Sequence, residues 1–124
     1  MSGIAGIFNL DGRPVDGQIL KAMTDVVAYR GPDGIGHWVK GPVALGHLQL
    51  CTTPESLREQ QPLVSSDGNY AIVCDGRVDN REELVRDLRP LAPGARDSTD
   101  VELVLHAYLA WGTDCAKHIV GDFA

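Results

Sequence analysis

The order of apolar and polar positions along the chain predicts short strands mixed with amphipathic helices. A short apolar run from Gly3 to Leu10 predicts a buried strand, because it is too short for a helix. Between Asp16 and Tyr29 the apolar residues recur at helical spacing, which predicts a helix with a single apolar stripe. The predicted stripe consists of Ile19, Leu20, Met23, Val26 and Val27.

Further strands are predicted at residues 36–40, 43–50 and 70–74, with Gly41-Pro42 as the turn between the first two. Two polar pairs at capping-box spacing, Asn80 with Glu83 and Thr99 with Glu102, predict the starts of two more helices. The second of these helices is expected to bury Val101, Val104, Leu105, Tyr108 and Trp111. A short helix over residues 113–120 and the start of a strand at residues 121–124 complete the pattern. Because strands and helices do not alternate strictly, the pattern favours a layered α+β fold.

Composition narrows the class of protein. With 124 residues and 44% hydrophobic content, the chain suits one domain with a real core. The net charge of −6 and the lack of a basic stripe disfavour nucleic-acid binding. No apolar run is long enough for a membrane span, and no signal peptide is readable, so a cytoplasmic location is expected. Three cysteines without CxxC spacing predict reduced thiols rather than disulfides, and no metal site or resident cofactor is expected in this domain.

Several short motifs occur in an order that is more specific than any one of them. Together they resemble the N-terminal class II glutamine amidotransferase domain of asparagine synthetase and its relatives. The motifs are Ser2-Gly3-Ile4-Ala5-Gly6, Arg30-Gly31-Pro32-Asp33, Leu45-Gly46-His47, Gln61-Pro62-Leu63, Asp67-Gly68, Asp75-Gly76-Arg77-Val78-Asp79-Asn80, Thr99-Asp100-Val101-Glu102, Ala107-Tyr108, Trp111-Gly112 and Gly121-Asp122-Phe123-Ala124.

The resemblance implies an N-terminal-nucleophile (Ntn) hydrolase fold, a four-layer αββα sandwich of two antiparallel sheets. Since domains of this family are longer, residues 1–124 are expected to be an incomplete domain. The resemblance also implies an ATP-dependent synthetase domain downstream, which would bind ATP and Mg and would be the main partner of this domain. A homodimer is a further expectation, and no nucleic acid or membrane partner is expected.

In the resembled family, removal of Met1 exposes a cysteine that supplies both the nucleophile and, through its α-amine, the base. An asparagine side chain and a glycine N–H hold the oxyanion, an arginine pairs with the substrate carboxylate, and acidic groups hold the substrate ammonium. The resemblance assigns these roles to the positions of Ser2, Asp75, Gly76, Gln49 and Asp100. Arg30 and Arg77 are further substrate-binding candidates on the same grounds.

Four of these positions depart from the family pattern. Ser2 replaces the cysteine, and a hydroxyl needs stronger activation than a thiol. Asp75 replaces the oxyanion asparagine, and an ionised carboxylate only accepts hydrogen bonds. Gln49 replaces the arginine and brings neither charge nor a bidentate fork, while Arg77 replaces a glutamate. An engineered trap would change only the nucleophile, so four changes favour natural loss of glutamine hydrolysis. The plainer interpretations stay open: Asp75 as a turn residue and Arg77 as a solvated strand charge.

Three functional hypotheses follow. The first is a degenerate glutaminase domain of an asparagine synthetase-like amide-forming ligase, related to β-lactam synthetases or lasso peptide cyclases, whose substrates supply their own amine. The second is an active domain that hydrolyses glutamine to glutamate and passes ammonia to an aspartyl adenylate. The third is a free-standing interaction module. The sequence does not specify the product of the parent ligase.

Overall fold

Three antiparallel strands form the largest sheet of the computed structural model, which describes residues 2–124. The strands are β1 (Gly3–Phe8), β2 (Gly34–Lys40) and β3 (Val43–Gln49), in the spatial order β1-β3-β2. The register pairs Gly3 with Leu48 and Gly34 with Gln49. The N-terminal end of β1 therefore lies beside the C-terminal end of the central strand β3.

Helix α1 (Gly17–Val26) covers one face of this sheet. It begins where the Asp16 side chain accepts a hydrogen bond from the Gln18 N–H at 2.9 Å, an ordinary N-cap. Its buried residues are Leu20 and Thr24, and the Thr24 hydroxyl lies 2.8 Å from Nε2 of His37 on β2.

The apolar stripe predicted for α1 is only partly correct. Ile19, Met23 and Val26 are exposed, and Leu20 alone of the stripe is fully buried. The buried face of α1 is narrower than the predicted apolar stripe. It is centred on Leu20 and Thr24, because Thr24 packs directly on Gly46 of β3, which has no side chain. The strand predicted at the start of the chain is present as β1, but it is not fully buried. Ile4 and Phe8 on one of its faces are 42% and 64% exposed.

The chain up to Asp75 forms one unit, and Gly76–Ala124 forms another. The first unit also contains a two-stranded hairpin, β4 (Leu63–Val64) with β5 (Ala71–Ile72), and two 3₁₀ turns at Ala28–Arg30 and Ser56–Arg58. The second unit contains β6 (Gly76–Val78), helix α2 (Arg81–Leu88), helix α3 (Asp100–Trp111) and β7 (Gly121–Phe123), with 3₁₀ turns at Ala95–Asp97 and Gly112–Lys117.

The second unit has its own apolar core. Strands β6 and β7 pair antiparallel, and α2 packs on α3. The buried residues are contributed by both helices, β6 and the segments that flank them. They are Val78, Leu84, Leu88, Ala95, Leu103, Ala107 and Ile119.

The two predicted capping boxes differ in outcome. At Thr99 both reciprocal bonds with Glu102 are present, which confirms the prediction for α3. At Asn80 the predicted helix start and its end at Leu88 are confirmed, but the capping box itself was wrong, because the Asn80 side chain makes no capping bond to the helix backbone. The Asn80 amide instead donates to the carbonyl of His118 at 2.8 Å and accepts from the Val120 N–H at 2.9 Å. The buried face of α3 was also partly wrong: Leu103 and Ala107 are buried, whereas Tyr108 is exposed.

The expected α+β class is confirmed by this mixture of helices and wholly antiparallel sheets. The segment predicted as a short helix after Trp111 is the 3₁₀ turn Gly112–Lys117. Within residues 2–124, Cys51, Cys74 and Cys115 are not joined by disulfide bonds, in line with the reduced thiols that the sequence predicts. In the same range, none of the helices has the length and apolar character needed to cross a membrane.

The close packing of α1 on β3 gives a stability prediction. A Cβ atom at Gly46 would lie 2.9 Å from Cγ2 of Thr24 and 3.3 Å from Cδ1 of Leu20. We expect Gly46→Ala to lower the free energy of unfolding by about 1–3 kcal/mol, as overpacked core substitutions do. Denaturant-induced unfolding measures this.

The matched control is Gly17→Ala in the first turn of α1. There a Cβ would meet only Cγ2 of Val39 at 3.8 Å, an ordinary van der Waals distance. Helix propensity should make this variant neutral or more stable by up to about 1 kcal/mol. Equal effects of the two substitutions would contradict the packing account.

Candidate functional site

Ser2 immediately precedes β1 and is held by hydrogen bonds on two sides. Its Oγ accepts from the main-chain N–H of Leu50 at 3.1 Å. Its main-chain nitrogen donates to Oδ1 of Asp75 at 3.0 Å. The pairing of Gly3 with Leu48 explains the first bond, because Leu50 follows β3 directly opposite the start of β1. The candidate nucleophile is thus fixed by the sheet register.

Asp75, the candidate oxyanion residue, meets the nitrogen of Ser2 rather than standing apart as a turn residue. Both residues are half-buried and are separated by 73 positions in the chain. The carboxylate accepts a hydrogen bond from the group that would become the α-amine once Met1 is removed. The geometry therefore brings the two principal substituted positions, Ser2 and Asp75, into direct contact.

Gln49 lies at the end of β3, next to the Ser2 contact, but its amide is engaged elsewhere. Its Nε2 donates to the carbonyls of Ser56 at 3.0 Å and Glu59 at 3.2 Å. A side-chain amide has only two N–H donors, so both are used to hold the 51–59 loop. In this arrangement Gln49 has no donor left for a substrate carboxylate.

The Arg30-Gly31-Pro32-Asp33 segment is fastened to β3 by its glycine and its aspartate. A Cβ at Gly31 would lie 2.6 Å from Cβ of Leu48, so only glycine fits. Asp33 donates its N–H to the Gln49 carbonyl at 3.1 Å and accepts from the Cys51 N–H at 2.7 Å through Oδ2. This packing places Cβ of Arg30 3.6 Å from the position a Cβ would take at Gly3. Arg30 is half-buried beside the start of β1, and none of the described hydrogen bonds or ion pairs involves its guanidinium.

His47 is a buried imidazole on β3 whose part in this site the sequence did not reveal. Its side chain is 3% exposed, and Nε2 has no hydrogen-bond partner within residues 2–124. Burial lowers the pKa of His47, and the nearby negative charge of Asp75 opposes this by raising it. The imidazole therefore sits within electrostatic range of the carboxylate that contacts Ser2. The sequence offered one signal, a histidine inside an otherwise apolar strand.

Gln61 is the second residue that sequence reasoning passed over. Its side chain binds both main-chain groups of Cys74, the residue before Asp75. Gln61 belongs to the Gln61-Pro62-Leu63 motif, which marked it only as part of the family resemblance. The sequence did not indicate that its side chain replaces main-chain pairing.

The remaining candidates belong to the second unit. Both oxygens of Asp100 are occupied there: Oδ2 accepts from the Val78 N–H at 3.0 Å, and Oδ1 pairs with Arg81 at 2.7 Å. Arg81 also donates to the Ser98 carbonyl. Asp100 thus already has a cationic partner within its unit, where the resemblance implied a substrate ammonium.

Arg77 lies on β6 and forms an ion pair with Asp79, with Nε 2.6 Å from Oδ1 and Nη2 3.1 Å from Oδ2. The pairing raises the pKa of Arg77 and lowers the pKa of Asp79. The Arg77 side chain is 68% exposed. This geometry supports the plainer interpretation of Arg77 as a solvated strand charge.

Gly76 is required by the pairing of β6 with β7. A Cβ at this position would lie 2.6 Å from Cβ of Phe123 and 2.8 Å from the Asp122 carbonyl. The close approach of the two strands therefore accounts for glycine here, independently of any oxyanion role.

Comparison with known proteins agrees with the motifs. The family model described as "Glutamine amidotransferase domain" matches residues 1–124. Asparagine synthetase [glutamine-hydrolyzing] 3 of Bacillus subtilis is 32% identical over the whole chain, and asparagine synthetase [glutamine-hydrolyzing] 2 of the same organism is 29% identical over the whole chain. Amidase chyE of Penicillium rubens is 30% identical over 85% of the chain.

The chain spans only a small part of these relatives. It covers 20% and 17% of the two bacterial synthetases and 16% of the amidase.

The burial of His47 gives a pH prediction. The unfolded chain binds a proton on His47 near the ordinary pKa of 6.5, while the folded chain does so only at lower pH. Between these values the unfolded state holds more protons, so the free energy of unfolding falls as pH drops below about 6.5. His47→Gln should reduce this dependence.

An NMR titration of the imidazole tests the same electrostatics directly. Asp75→Asn removes the charge that raises the pKa of His47, so the pKa should fall further in this variant. Asp67→Asn is the matched control, because Asp67 is exposed in the β4–β5 turn and is not among the causes of the His47 shift. A His47 pKa that Asp75→Asn leaves in place would show that the two groups do not interact.

Proposed function

Because this chain belongs to the glutamine amidotransferase domain family, we propose that it is the amidotransferase-type domain of an asparagine synthetase-like ligase in which glutamine hydrolysis has been lost. The parent ligase would form amide bonds with ATP and Mg in a separate synthetase domain. The retained domain would then act as a structural support for that synthetase domain.

The proposal rests on the 3.0 Å contact between the Ser2 nitrogen and Oδ1 of Asp75. Once Met1 is removed, this nitrogen is an α-amine, which the family chemistry uses as the base that activates the nucleophile. A carboxylate at hydrogen-bond distance stabilises the protonated ammonium form. The base is then held in the form that cannot accept a proton.

The same carboxylate also opposes the reaction at its second step. Attack on an amide carbonyl creates an oxyanion, which needs hydrogen-bond donors aimed at it. An ionised Asp75 offers only acceptors, and its charge repels the developing anion. Loss of one donor alone costs about 10²–10³ in rate.

Nucleophile and substrate binding are weakened as well. The Ser2 hydroxyl already accepts a hydrogen bond from Leu50, and a hydroxyl needs a strong base to attack. Gln49 directs both of its donors to loop carbonyls. Each observation supports a silent glutaminase.

A lost glutaminase is compatible with a ligase that does not use free ammonia. We infer that the substrate of the parent ligase supplies its own amine, as the substrates of β-lactam synthetases and lasso peptide cyclases do. An amide product with an intramolecular or peptide amine fits this class.

Glutamate release from glutamine tests the proposal. The protein from which Met1 has been removed, verified by mass spectrometry, should show no release above that of Ser2→Ala. Ser2→Cys alone should stay inactive, because Asp75 still holds the amine. Adding Asp75→Asn to Ser2→Cys should raise the rate by about 10²-fold, since an oxyanion donor is restored.

The matched control combines Ser2→Cys with Asp67→Asn, the same chemical change at an exposed aspartate, and should give no increase. Glutamate release by the unmodified protein that Ser2→Ala abolishes would overturn the proposal in favour of an active glutaminase. Robust turnover by Ser2→Cys alone would equally refute the role given to Asp75.

A further inference from the structure

Gln61 occupies the place where the β4–β5 ladder would continue. Leu63 pairs with Ile72 and Val64 with Ala71, so the same register sets Gln61 opposite Cys74. Pro62 intervenes, and proline has no N–H to give to a ladder. The main-chain pairing accordingly stops at Leu63.

The Gln61 side chain takes over where the main chain stops. Its Oε1 accepts from the Cys74 N–H at 2.6 Å, and its Nε2 donates to the Cys74 carbonyl at 2.9 Å. The remaining N–H of Nε2 donates to Oε1 of Glu59 at 2.5 Å. An amide can make this two-point contact because it carries a donor and an acceptor side by side.

This contact matters because residues 73–75 lie between β5 and β6, outside either strand. Cys74 is the residue before Asp75, so fixing both of its main-chain groups fixes the direction in which the chain enters Asp75. The Asp75 carboxylate then reaches the Ser2 nitrogen at 3.0 Å.

The main chain of Gln61 is itself fixed on β2. A Cβ at Gly36 would overlap the Gln61 carbonyl oxygen and lie 3.0 Å from Cδ of Pro62. The glutamine therefore rests directly on the sheet backbone, and its side chain projects from a rigid base to Cys74.

We propose that Gln61 is a positioning residue that holds the Asp75 carboxylate on the nitrogen of Ser2. This inference rests on the proposed function, since it assigns Gln61 to the contact that keeps the amidotransferase site silent. Gln61 touches neither Ser2 nor a reacting atom, and it acts only through the Cys74 peptide.

The test measures the pKa of the Ser2 α-amine by NMR titration of isotope-labelled serine, in protein from which Met1 has been removed. Gln61→Met keeps the length of the side chain and removes both hydrogen bonds to Cys74. We expect this variant to lower the amine pKa toward the ordinary value of about 8, by at least half of the shift that Asp75→Asn causes.

The double variants separate positioning from general structural damage. In the Asp75→Asn background, Gln61→Met should cause no further change in the amine pKa, because the carboxylate that Gln61 positions is gone. Asn69→Ala is the matched control: Asn69 binds Asp67 at the turn of the same hairpin and should leave the amine unchanged. Circular dichroism verifies that each variant is folded.

Two outcomes distinguish failure of this inference from failure of the proposed function. If Asp75→Asn lowers the amine pKa while Gln61→Met leaves it in place, Gln61 does not position Asp75. If Asp75→Asn itself leaves the amine pKa in place, the ion pair of the proposed function is absent and this inference falls with it. A shift caused by Gln61→Met that persists undiminished with Asp75→Asn would show that Gln61 acts by another route.

Discussion

The organisation of this site depends on one hydrogen bond, between the nitrogen of Ser2 and the carboxylate of Asp75. It joins the beginning of the first strand to a segment 73 positions later, and it combines a potential base with a potential anion-repelling group. A single aspartate can therefore oppose both proton abstraction and oxyanion formation, whereas an asparagine at the same place would oppose neither. Burial lowers the pKa of the nearby His47 imidazole and so favours its neutral form, while the charge of Asp75 opposes this shift.

Two of the candidate binding residues are engaged with the protein itself. Gln49 holds the 51–59 loop with the two donors that a ligand would need. Within the second unit, Asp100 forms an ion pair with Arg81. For these two residues, polar partners within their own unit compensate the cost of desolvation without a ligand.

The sequence predicted the elements well where local rules decide them. The β2–β3 hairpin with its Gly41-Pro42 turn and the Thr99–Glu102 capping box depend on neighbouring residues alone. It predicted less well where packing decides, as on α1, where Thr24 is buried and Met23 is exposed because of a glycine on a distant strand. The family resemblance assigned Ser2 and Asp75 to one site, but it predicted neither their direct contact nor the roles of Gln61 and His47. Local sequence patterns do not reveal that the Gln61 side chain replaces main-chain pairing. They also do not reveal that His47 lies near Asp75, which is distant in the chain.

The close approach at Gly36 has a consequence for how this chain can vary. Because the Gln61 carbonyl occupies the space that any side chain at residue 36 would fill, a substitution on the edge strand β2 would displace Gln61, whose side chain holds Cys74 next to Asp75. Gly36 therefore influences the surroundings of the candidate nucleophile although it has no side chain. The effect of substituting this glycine would therefore depend on whether residue 75 is an aspartate or an asparagine. Such a dependence between positions 36 and 75 would arise from steric overlap with the backbone rather than from charge.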